Sequence, residues 1–169
     1  MDKIIAYCGL NCSECPAYIA TQSGDPAALE KVAAQWREAF NMPDLTAESV
    51  ICDGCLQTNA GRLSGYCATC AIRACAVERG FLTCAECDIF PCFETTPMDD
   101  DDPMSAAAVL KMITGRYDGW NIDNLKRIRE IGYRRFVDEY KDKVAGGFTT
   151  CEVISKKMVM TEFVNKMSE

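Results

Sequence analysis

The chain has 169 residues, a formal charge of −7, 49% hydrophobic residues, twelve cysteines and no histidine. That length suits one domain, or a domain with an extension, and the hydrophobic share excludes a disordered chain. The acidic balance disfavours nucleic acid as a partner, and no apolar run approaches the ~20 residues that span a bilayer.

The first residues, 1–8, lack the apolar stretch of a signal peptide, so the expected compartment is the reducing cytoplasm. Disulfides rarely persist there, which leaves the thiols available for metal or redox chemistry. Cys8, Cys12 and Cys15 form a knuckle that runs into a helix over 17–22, stopped by Gly24. Asp25-Pro26 starts a second helix, with an N-cap acid before a proline at the first helical position. Leu29, Val32, Ala33, Trp36 and Phe40 recur at three- and four-residue steps and give that helix an apolar face. The run 41–44 breaks it, and a short helical piece after Thr46 leads to Cys52 and Cys55.

An internal repeat follows. Cys67-Ala-Thr-Cys70 with Cys75, and Cys84-Ala-Glu-Cys87 with Cys92, share the pattern C-A-x-C-x-I-x-x-C at an offset of seventeen residues. The first copy is expected to continue as helix through Glu78, with Gly80 behind it. Pro91 interrupts the second. Residues 95–103 are a polar, acidic connector, in which Asp99 to Asp102 read as a solvated linker. Ser105 caps a helix from Ala106 to about Thr114, ended by Gly115. After a turn at 117–120, Ile122, Leu125 and Ile128 mark another amphipathic helix. Gly132 splits it from a following helix carrying Phe136, Val137, Tyr140 and Val144. The tail beyond Gly146-Gly147 offers a strand near Cys151 or a helix over 158–164. Trp36, Trp120 and Cys151 read as core. Lys126, Arg127, Arg129, Arg134 and Arg135 read as a solvated basic face.

The eleven clustered cysteines, Cys8, Cys12, Cys15, Cys52, Cys55, Cys67, Cys70, Cys75, Cys84, Cys87 and Cys92, are the candidate metal ligands. Four CxxC pairs within about ninety residues have the spacing of zinc knuckles, because thiolates two residues apart can face one tetrahedral ion. The spacing Cys52-x2-Cys55-x11-Cys67-x2-Cys70 is close to a zinc ribbon. The expectation is two or three Zn2+ ions in all-cysteine structural sites, with a 4Fe-4S cluster as the alternative. Four thiolates per zinc leave −2 at each site, so two sites bring the chain to about −11. One pairing puts Cys52, Cys55, Cys67 and Cys70 on one ion. Cys8, Cys12, Cys15 and Cys92 then hold another, and Cys75, Cys84 and Cys87 form an incomplete third site. A cross-braced pairing joins Cys52 and Cys55 to Cys84 and Cys87. Without histidine, a GxGxxG motif or a Walker loop, the chain reads more as a binding or adaptor module with a protein partner than as an enzyme.

The string from Tyr7 to Tyr18, the Cys-Asp-Gly-Cys at 52–55, the Tyr66-Cys-x-x-Cys-Ala-Ile-Arg-x-Cys75 stretch and the Cys84-x-x-Cys-x-x-Phe-Pro-Cys92 ending resemble the domain of unknown function 3795. The resemblance covers roughly residues 5–93. It implies a small cysteine-rich prokaryotic protein taken to bind zinc, and it brings no reaction. The expected fold is mostly α, small and irregular, stapled by metal, with zinc knuckles and short strands at most. The expected division is a cysteine-rich unit over 1–95, an acidic linker over 96–104 and a helical extension over 105–169 packed on it.

Overall fold

A computed structural model describes residues 5–56, 62–97 and 101–145, with side chains as far as residue 141. The chain is mostly helical. In order come α1 (Pro16–Ser23), α2 (Pro26–Ala39), α3 (Gly65–Ala68), α4 (Ala71–Glu78), α5 (Cys92–Thr95), α6 (Ala106–Arg116), α7 (Trp120–Ile131) and α8 (Tyr133–Ala145). Short 3-10 turns stand at Cys12–Glu14, Glu48–Val50 and Cys84–Glu86. Among the described residues the extended pairing is one isolated antiparallel bridge between Ile5 and Asn11. No helix among them is long and apolar enough to cross a membrane. The residues 146–169, with Cys151 and the expected tail elements, lie outside the described residues, as do Asp99 and Asp100 of the connector.

The helix ends follow local chemistry. Gly24 takes the left-handed conformation that ends α1, and the Asp25 carboxylate accepts the Ala27 amide at the start of α2. The Ser105 hydroxyl caps α6 through the Ala108 amide. Gly115 does not end α6. A helical glycine costs only about 1 kcal/mol, and the helix runs on to Arg116. The chain turns instead at Asp118 and Gly119, both at positive φ, so α7 begins at Trp120. The first cysteine repeat is broken too: Cys70 is extended and separates α3 from α4.

Two apolar cores result. The main core joins the N-terminal segment (Ile5 to Cys8) to Ile72 and Ala76 of α4. It continues through Leu110 of α6 and Leu125 of α7 to Phe136 of α8. The second core lies between α1 and α2 and includes Ala17, Val32, Ala33, Val50 and Leu63. Neither tryptophan is a fully buried core residue. Trp36 is half-buried at the edge of the second core, where it meets Phe40 edge-on, and Trp120 is half-buried in the first turn of α7.

Candidate metal centre

The eleven thiols divide into a group of seven and a group of four. The seven lie where the two cores meet. Cys8 and Cys55 are buried in the main core, with Cys12 and Cys70 packed against it. Cys52 is buried in the second core, with Cys15 and Cys67 against that. Each of the pairs Cys12/Cys15, Cys52/Cys55 and Cys67/Cys70 thus straddles the seam, one sulfur on each side.

Hydrogen bonds from distant elements hold these knuckles in place. The Cys55 amide donates to Cys12 Sγ at 3.3 Å, and the Cys52 amide donates to the Thr21 hydroxyl of α1 at 2.9 Å. Arg73 Nε of α4 donates to the Cys55 carbonyl at 3.2 Å. From α7, Asn121 Nδ2 donates to the Cys8 carbonyl at 3.1 Å and Asn124 Nδ2 to the Gly9 carbonyl at 2.9 Å. Gly9 has φ +89°, and a Cβ there would collide with the Asn121 carbonyl oxygen and stand 2.8 Å from Leu125 Cγ. The first knuckle therefore lies flat on α7 because residue 9 has no side chain.

The group of four is Cys75 on α4, Cys84 and Cys87 around the 3-10 turn, and Cys92 at the start of α5. All four line one cavity of about 170 Å3. The loop between Cys84 and Cys92 is tied down at three points. The buried Thr83 hydroxyl accepts the Ala85 amide, the Cys84 amide donates to the Tyr7 carbonyl at 2.9 Å, and Arg129 of α7 donates to the Cys87 carbonyl at 3.0 Å. This revises the expected pairings. Cys92 stands with Cys75, Cys84 and Cys87, not with Cys8, Cys12 and Cys15. The reason is that α5 and α4 both pack on α6. Cys84 and Cys87 likewise line this cavity rather than bracing Cys52 and Cys55.

The thiols crowd one another. Burial, then neighbouring sulfur charges, pushes Cys8, Cys55 and Cys67 up to about 12 from the ordinary 9.0. Cys12 is driven well above that value by burial and by Cys55, Cys8 and Cys67. Cys15 is raised by burial and by Cys52. In the cleft, Cys84 is raised by burial, then by Cys8 of the seam and next by Cys92, Cys75 and Cys87, and Cys92 is raised by burial and by Cys87 and Cys75. A thiophilic cation would reverse both causes, since it pairs with the thiolates and displaces their protons. Among the described residues, no three side chains of ligand type stand at the spacing of one bound ion. Metal uptake would therefore draw the sulfurs together.

The basic residues of α7 and α8 lie on an exposed face, as expected. Arg127 bridges Glu130 at 3.1 Å and Glu139 at 2.7 Å. The supporting residues Asn121, Asn124 and Arg73 were not singled out from sequence, and Arg129, expected only as part of a solvated basic face, also holds the Cys87 carbonyl. For Asn121 a signal exists: it stands four and seven residues before Leu125 and Ile128, a polar residue on an apolar stripe.

No curated protein and no solved structure matches this chain. A family model described as "Protein of unknown function (DUF3795)" matches residues 4–97, which hold all eleven of these thiols, and the chain belongs to that family.

Proposed function

We propose that this protein is a cytoplasmic zinc-binding module whose all-cysteine centre is structural and which acts as a binding or adaptor protein. The observation that carries this reading is the convergence of seven thiols, from three separate stretches of chain, on the seam between the two cores. The donor set fits the metal. Zinc favours thiolates, needs no redox partner, and as a structural ion is closed by four protein ligands. Seven thiolates suffice for two tetrahedral ions that share one bridging sulfur, or for one closed site with three thiols to spare. Bound zinc would supply charge neutralisation and cross-linking. The residues around it do the rest: Asn121, Asn124 and Arg73 fix the knuckle carbonyls, Thr21 fixes the Cys52 amide, and Gly9 admits α7.

The test is elemental analysis of the full chain purified without oxygen, with the zinc-to-chain ratio measured before and after thiol alkylation. The expected result is stoichiometric zinc that shields Cys8, Cys12, Cys55 and Cys70 from alkylation. A folded, metal-free protein whose seven thiols all alkylate freely would end this reading.

A further inference from the structure

Cys75, Cys84, Cys87 and Cys92 all line one cavity. Four thiols around one space is the donor count of a tetrahedral zinc and of a cubane iron–sulfur cluster alike. The two differ in what separates the sulfurs. A Zn–S bond of about 2.3 Å sets tetrahedral sulfurs about 3.8 Å apart, and nothing but the ion fits among them. In a [4Fe–4S] cluster each cysteine binds a different iron, so the thiolates stand back and the inorganic core occupies the middle.

In this cleft the four thiols line one cavity of about 170 Å3, more space than a single ion fills. The rest of the wall is largely apolar, with Ile72, Ala76, Phe81, Phe90 and Leu110 contributing. Such a wall would limit water around bridging sulfides, and Arg79 would add a cation beside an anionic cluster. The loop that carries Cys84, Cys87 and Cys92 is short and anchored by Tyr7, Thr83 and Arg129, and Cys75 faces the same cavity from α4.

We infer that this cleft binds a [4Fe–4S] cluster, separate from the zinc of the seam. The inference rests on the reading that both thiol groups hold metal, and the experiment separates the two claims. The full chain is purified anaerobically and reconstituted with ferrous iron and sulfide, and iron, acid-labile sulfide and zinc are measured. The expected result is about four iron and about four sulfide per chain, with broad visible absorption, and zinc retained. Cys87→Ser and Cys92→Ser should each lose the iron and keep the zinc, and the retained zinc reports that the seam is still folded. An iron-free product whose zinc falls in these two variants would overturn the cluster and leave the seam reading intact. Iron that survives both substitutions would place a cluster elsewhere and overturn the inference. A product with neither metal would overturn both claims.

Discussion

The two thiol groups use the same CxxC spacing in opposite surroundings. At the seam, sulfurs from three knuckles point into two packed cores, and the pairs are held from behind by α1, α4 and α7. At the cleft, α4, one loop and the start of α5 surround a cavity that α6 backs with Leu110. Spacing alone therefore marks the sulfurs only as candidate ligands. What lies around the sulfurs would decide whether a bound metal staples the fold or occupies a pocket.

The largest effect expected is from stripping metal off the seam. Structural zinc in small domains supplies an apparent ~10–16 kcal/mol, which equals or exceeds the net stability of a typical domain. The main core runs from Ile5 through α4 to α8, so helices α6 to α8 should be lost along with the knuckles. Circular dichroism with a strong chelator is the measurement. In contrast, Cys87→Ser should leave the helical signal nearly intact. If chelation spared the helices, or if the cleft variant unfolded them, the contrast between seam and cleft would be wrong.

The second effect is a loss of stability at alkaline pH in the metal-free chain. Cys8, Cys55 and Cys67 are raised to about 12 when folded, against an ordinary 9.0. Above the unfolded value, the unfolded chain gives up protons that the folded chain retains. The folded state then binds more protons, and stability falls as pH rises. The stabilisation is whole below pH 9.0 and is lost between there and about 12, on the order of several kcal/mol for three such groups. With zinc bound the dependence reverses on the acid side, because protons compete with the ion and affinity weakens as pH falls. Urea midpoints across pH, with and without zinc, measure both. A flat profile for the metal-free chain would mean that the thiols are solvated rather than sealed in the seam.

Next is the contact that lets the first knuckle lie on α7. Gly9→Ala combines an unfavourable φ of +89° with a collision against Asn121 and Leu125, and should cost about 3 kcal/mol or more. Gly24→Ala keeps a similar φ of +68° but has no heavy atom within 4 Å of the new Cβ, so only the backbone cost of about 1 kcal/mol remains. Denaturant unfolding of the pair separates close approach from conformation. Equal losses would show that α7 does not press on the knuckle.

Much of this was legible in the sequence. The Asp25-Pro26 start, the Ser105 cap and the Gly132 break are local signals, and each stands where chain-neighbour chemistry puts it. The assignment of sulfurs to groups was not legible. It depends on Cys92 being carried to the cleft by α5 packing on α6, a contact between residues on either side of the acidic connector. Gly115 misled for a related reason: a weak local preference gave way to helix packing. Asn121 was hidden because its role, holding the Cys8 carbonyl, links residues 113 positions apart.

The smallest effects fall on hydrogen bonds and ion pairs behind the seam. Asn121→Ala leaves the buried Cys8 carbonyl without its donor and should cost about 1–3 kcal/mol. It should also slow zinc rebinding, since the knuckle is less well placed. Arg127→Ala removes two ion pairs on the exposed face of α7 and α8, where solvent and salt screen the charges. Its expected cost is below about 1 kcal/mol, with no change in metal content. Thermal melts at low and high salt decide the point. A large, salt-sensitive loss on Arg127→Ala would mean that this basic face helps hold α8 against the main core, and that the solvated reading of the cluster is wrong.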